Sequence, residues 1–124
     1  MAGNVLTNIK NYISQNTRNK IVICRDYIDD LQFINVGYDL SKLLSKNSYN
    51  YEEAVSVIID KTYHDETIGN YLALSNIAIL FEPELKINVS DILDTYSKNQ
   101  CLIIQTDMEI TNWVNLNGLS YKQI

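Results

Sequence analysis

Glu84, Leu85 and Lys86 have the spacing of E-x-K, a fragment of the metal-dependent nuclease signature. In that chemistry the Glu and an upstream Asp hold Mg²⁺ while the Lys polarises the attacking water. Asp60 and Asp65 stand upstream as possible partners. Pro83 immediately precedes the triplet, and proline cannot donate a ladder hydrogen bond, which argues against a place inside a central strand. The competing reading is a solvated loop with Lys86 near the following helix. His64, Asp65 and Glu66 form a second acid–base cluster. The chain has a single histidine and no paired ligands around it, so this cluster reads as a solvated helix end rather than a metal site. Cys24 and Cys101 have no CxxC spacing, and both fall in or beside apolar, β-like runs. They read as two buried free thiols. No metal and no cofactor is expected from these residues.

The elements that must position these groups are organised around residues 71–107, YLALSNIAILFEPELKINVSDILDTYSKNQCLIIQTD. Two apolar runs there bracket a polar-capped amphipathic segment. A strand, a helix and a strand is the simplest reading, and it implies an α/β layer. A length of 124 residues suits one domain, residues 1–124, with a buried core of its own. Net charge is −5, and the ten Lys and Arg are scattered rather than gathered in a stripe, so direct nucleic-acid binding is not expected. No apolar run approaches the ~18 residues of a membrane span. The N-terminus lacks the basic-then-apolar pattern of a signal peptide, which predicts a cytoplasmic protein. Nine Tyr against one Trp and two Phe favour a protein-binding surface, because a tyrosine ring can pack while its hydroxyl stays wet.

Along the chain, Val5, Leu6, Ile9, Tyr12 and Ile13 predict an amphipathic helix over 4–15. KIVIC at 20–24 reads as an interior strand, and LQFINV at 31–36 as another. Only RDYIDD separates them, too little for a helical crossover. The two are therefore either a hairpin or not neighbours in one parallel sheet. Asp39 is expected to cap a short helix with Leu40, Leu43 and Leu44 inside. Asn50 and Glu53 have capping-box spacing for a helix running to about Tyr63. Gly69 and Asn70 signal a turn before a strand at 71–76, and residues 77–81 either continue it or make one helical turn. Asn88 and Asp91 cap a helix over 89–98, and residues 100–105 form the next strand. Residues 115–118 read as a turn, and 119–124 as a last strand or a tail. The expected fold is α/β, a small sheet of four to five short strands flanked by about four helices.

Two blocks, residues 33–44 (FINVGYDLSKLL) and 72–105, resemble the small P-loop proteins of type 3 BREX bacteriophage-defence systems, called BrxF. The residues that fit are Ile34, Asn35, Leu40, Ser41, Leu43, Leu44, Asn76, Ile77, Leu80, Phe81, Pro83, Leu85 and Lys86, in matching order and spacing over about two thirds of the chain. The resemblance implies a P-loop-type fold in which the second block opens with the Walker B strand. The departures decide the function it implies. A Walker A loop cradles phosphates with backbone amides, a lysine and a helix N-terminus. Here the interval after residue 24 holds only RDYIDDLQ, and the chain has no glycine between Gly3 and Gly37. Arg25 does not replace a nest of amides, and Asp26, Asp29 and Asp30 would repel a triphosphate. Ser75 stands where Walker B has its metal-positioning Asp, and Ala78 where it has a second acid. Serine brings no charge to hold Mg²⁺.

The resemblance thus implies a degenerate P-loop-like domain that is not an enzyme: an interaction module of a BREX-like defence complex, working through a protein partner or self-association. A small nuclease using Glu84 and Lys86 is the alternative, and an unrelated phage-encoded binder a third. The candidate partner surface is the segment 110–124, rich in apolar and aromatic residues, with Trp113 and Tyr121 as its anchors. A terminal strand would offer it an unpaired edge. The competing reading is that the segment closes its own sheet.

Overall fold

Four strands carry apolar residues on both faces, and that pattern requires cover on both sides. A computed structural model describes residues 2–15, 18–46, 50–107 and 119–124. Its elements are α1 (Ala2–Ile13), β1 (Ile21–Cys24), β2 (Phe33–Asn35), α2 (Val36–Lys46), α3 (Tyr51–Ile59), β3 (Tyr63–Asp65), β4 (Gly69–Ser75), α4 (Val89–Ser97), β5 (Cys101–Gln105) and β6 (Tyr121–Gln123). Two short 3₁₀ turns, Ala78–Phe81 and Pro83–Leu85, link β4 to α4. The fold is α/β, as the sequence predicts, with a sheet ordered β2-β4-β5-β1-β6. All neighbours in that row are parallel.

Side-chain alternation sorts the core into two layers. Ile21, Ile23, Leu72, Leu74, Leu102 and Ile104 face α2, α3 and α4. Val22, Cys24, Tyr71, Ala73, Cys101 and Ile103 face the other way, where Leu6, Ile9 and Tyr12 of α1 cover them. Both cysteines are free and buried. Burial pushes the Cys101 thiol up to about 12, and burial with the nearby Asp26 charge pushes Cys24 up to about 11. Neither is a thiolate nucleophile at neutral pH.

The strands at 20–24 and 31–36 are not a hairpin. β1 and β2 lie in one parallel sheet with β5 and β4 between them. An eight-residue loop without a helix makes the crossing, and Ile28 and Leu31 bury themselves on the α1 face as it passes. Several boundaries differ from expectation: α1 spans Ala2–Ile13 rather than 4–15, and Gly69 and Asn70, expected as a turn, already pair with β3 as the start of β4. Residue 36 already belongs to α2, and Asn35 rather than Asp39 caps that helix, its Oδ1 accepting from Tyr38 N at 3.0 Å. The expected helix to Tyr63 stops at Ile59, and residues 63–65 form β3, an antiparallel partner of β4. β3 and β2 share one side of β4 end to end: Tyr63 pairs with Tyr71, and Phe33 with Ala73. The Tyr63 and Tyr71 rings lie 5.8 Å apart and add a cross-strand contact that a helix end lacks. Asp65 Oδ1 accepts from Thr67 N and Ile68 N, closing the turn that Gly69 completes at φ 79°.

The capping spacings read from the sequence are realised. Asn50 Oδ1 accepts from Glu53 N at 2.8 Å, and Asn88 Oδ1 from Asp91 N at 3.1 Å. Among the described residues no helix is long and apolar enough to cross a membrane.

One polar cluster ties α4 to the entry of β1. Asn19 Nδ2 donates to Asp94 Oδ1 and to Ser97 Oγ, both at 2.9 Å, and Arg18 and Lys98 each approach Asp94 Oδ2 at 3.3 Å. The Asn19 bond first, then Arg18 and Lys98, hold the Asp94 carboxyl at about 2, well below its usual range. A depressed carboxylate stabilises the fold above the unfolded value and loses that contribution as pH falls through the folded one. Asp94→Asn is therefore expected to lower the thermal midpoint at pH 7. The gap between variant and wild type should close as pH drops from the ordinary carboxylate range to about 2. Parallel melting curves across that window check it, and a gap independent of pH would rule it out.

Candidate functional site

In parallel α/β sheets, ligands bind outside the carboxyl ends of the strands, where the connections from two neighbours leave in opposite directions. β1 and β5 are that pair. The chain leaving β1 crosses toward β2, whereas the chain leaving β5 returns as β6 on the far side of β1.

Here the edge is bonded to itself. Gln105 Nε2 donates to Arg25 O at 2.6 Å, and Thr106 N to Cys24 O at 2.8 Å, joining the two strand ends across the switch point. Ser75 is buried, and its hydroxyl donates to Ile34 O over a long 3.4 Å. Asn76 follows in the left-handed region at φ 52°, a conformation that asparagine tolerates. Its Nδ2 donates to Asn35 Oδ1 at 2.9 Å, and its carbonyl accepts from Gly37 N at 3.0 Å. A Cβ on residue 37 would come within 2.5 Å of that Nδ2, so any larger residue would have to push the Asn76 amide off its bond to Asn35. Asn35, Gly37 and Asn76 thereby lock the carboxyl ends of β2 and β4 to the first turn of α2. In the sequence, Asn35 and Asn76 stand out only as matches to a family pattern. The available signal is an Asn-x-Gly at one strand end and an Asn directly after another.

Two clefts open at this edge. One, of about 480 Å³, is lined by Tyr27, Asn35, Asn76, Ile77, Ala78, Gln105, Thr106 and Asp107. The other, of about 450 Å³, lies on the α1 side between Val5, Cys24, Arg25, Asp26, Ile28, Asp29 and Ile124. Among the described lining residues neither has a lysine, and the fixed charges are Asp107 on the first and Arg25, Asp26 and Asp29 on the second.

The nuclease residues are not assembled on a strand. Glu84 lies in the 3₁₀ turn Pro83–Leu85, and Lys86 follows it in the left-handed region at φ 53°. Both are exposed. Asp60 ends α3, and Asp65 is engaged in its own turn. Among the described residues no group of three or more His, Cys, Asp or Glu is placed to hold a metal ion. His64 Nδ1 sits 3.2 Å from Asn70 Oδ1 across the β3–β4 hairpin, rather than at a helix end.

Of the candidate partner residues, Trp113 lies outside the described residues, as does the turn expected at 115–118. Tyr121 begins β6 and is 41% exposed. β6 pairs with β1 in parallel at the end of the sheet, and all three of its side chains are exposed. Leu119 packs on the α2–α4 side of the core. Tyr27, Tyr38 and Tyr51 are also exposed, whereas Tyr12 and Tyr71 are core residues. Compared with known proteins, the chain matches no family model, no curated protein and no solved structure.

Proposed function

We propose that this protein is a non-catalytic interaction module, an α/β scaffold derived from a P-loop fold that has lost nucleotide binding. In this reading it works in the cytoplasm within a bacterial, BREX-like anti-phage defence complex, bound to a protein partner or to a second copy. The observation that carries the reading is the self-bonded carboxyl edge. Where a nucleotide-binding sheet keeps amides free for phosphate, Gly37 N, Tyr38 N and Thr106 N here donate to Asn76 O, Asn35 Oδ1 and Cys24 O. The exposed tyrosines and the terminal strand β6 support association as the retained role.

Calorimetric titration with Mg-ATP or Mg-ADP should give no heat of binding, and a Kd below ~100 μM would overturn the reading. Association is tested separately by light scattering, together with recovery of the gene-neighbour defence proteins on the immobilised chain. Trp113→Ala and Tyr121→Ala are expected to reduce one of the two. Folded variants that change neither would remove this surface from the proposal.

A further inference from the structure

We infer that the cleft at the carboxyl ends of β2, β4 and β5 receives one arginine side chain of a protein partner. This deepens the reading of the chain as an interaction module and rests on it. The cleft, about 480 Å³, is of a size that ordinarily takes a small ligand or a single long side chain.

Its chemistry follows from how three amides are oriented. Asn35 must turn Oδ1 toward Tyr38 N, because a backbone N–H can only donate. Asn76 must then present Nδ2 to that same oxygen, which leaves its own Oδ1 on the other side. Gln105 must present Nε2 to Arg25 O, a carbonyl, and so keeps Oε1 away from it. The backbone thus fixes which ends of these two lining residues are bonded, and leaves Oδ1 of Asn76 and Oε1 of Gln105 as the acceptors they can offer a ligand. Asp107 adds a carboxylate, and among the described lining residues it is the one group of fixed charge. Among the described lining residues there is no lysine or arginine, so they offer an anion no counter-charge.

The wall completes the match. Tyr27 is 56% exposed, and its ring meets Phe33 in a T-shaped contact with centroids 5.1 Å apart, so more than half of it remains accessible at the rim. A guanidinium stacks on an aromatic face and offers five donors in a planar fork to acceptors around it. An ammonium is more strongly hydrated and lacks the fork, so lysine is the weaker occupant. The arginine stem would lie along Ala78 and Ile77, which supply the apolar part of the lining.

The test uses the full chain, ¹⁵N-labelled, titrated with N-acetyl-arginine amide as the probe of a peptide-borne arginine. Saturable shifts are expected for the side-chain amides of Asn35, Asn76 and Gln105, with a Kd of order 1–10 mM for so small a ligand. N-acetyl-citrulline amide, which has the same shape without the charge, should bind at least ~10-fold more weakly. Asp107→Asn and Tyr27→Ala should each weaken the arginine probe by ~3-fold or more, whereas Tyr27→Phe keeps it. Both positions are exposed, so these variants retain the wild-type amide spectrum elsewhere. No saturable shift up to ~50 mM, equal binding of citrulline, or indifference to Asp107→Asn would overturn the inference. Tighter binding of free arginine or agmatine than of the capped amino acid would also overturn it, because the occupant would then be a small cationic metabolite. Failure of the parent reading is distinct: it shows as heat with Mg-ATP, whatever the arginine probe does.

Discussion

Leu102→Ala should destabilise the protein by about 3–5 kcal/mol, a large part of the ~5–15 kcal/mol that holds a domain of this size folded. Leu102 is fully buried in β5. It pairs with Leu72 of β4 on one side and Ile21 of β1 on the other, all three pointing into the layer covered by α2, α3 and α4. Its backbone N–H donates to Lys20 O at 2.8 Å, so the strand cannot shift to close the gap without breaking the ladder. Removing three carbons therefore costs the lost transfer energy and leaves a cavity that its neighbours do not fill. Urea unfolding gives the number: the midpoint should fall while the slope stays constant. A loss below ~1 kcal/mol would mean that β5 is not the centre of the sheet.

Ser75→Asp should cost about 3 kcal/mol at pH 7 and, if the proposed loss of nucleotide binding holds, recover no nucleotide binding. Ser75 is 2% exposed, and its hydroxyl points a proton at Ile34 O. A carboxylate there is stripped of water and set against a carbonyl, with no cation to offset either effect. Both factors raise the folded-state pKa of the new group. For an acid raised on folding, the penalty is full above the folded pKa, fades as pH falls from there to the unfolded value near 4, and is absent below it. The deficit should thus be largest at neutral pH and small at pH 3, where the protonated carboxyl can donate to Ile34 O. Thermal unfolding of the variant from pH 3 to 8, with Mg-ATP titration at pH 7, reads both parts. A stable Ser75→Asp variant that binds Mg-ATP would show that the carboxyl edge still holds a nucleotide site and only the metal anchor is missing.

The strands, the helices and their caps were largely legible in the chain, because what specifies them is local. Parity along IVIC, YLAL and CLII sets which residues face which layer, and double-sided apolarity requires a covered sheet. Asn50 with Glu53, and Asn88 with Asp91, announce helix starts within one turn. Local pattern misled at two helix ends. Asp39 has a capping side chain, but Asn35 stands at the end of β2, where the strand turns directly into α2. Tyr63 continues the apolar period of α3, yet it leaves the helix to lie across from Tyr71, a partner eight positions away that helical spacing does not register.

By itself the sequence determined the α/β class, the two buried thiols and the absence of a glycine-rich loop after β1, since each depends on residue type and near neighbours. Only the tertiary structure decided the strand order, the hairpin at β3 and what the carboxyl edge is built from. The bonds that define that edge join Asn76 to Asn35 across 41 positions and Gln105 to Arg25 across 80. Such pairings depend on which strands lie side by side. That is settled by how the two apolar faces are covered at once, and no single stretch of the chain carries it.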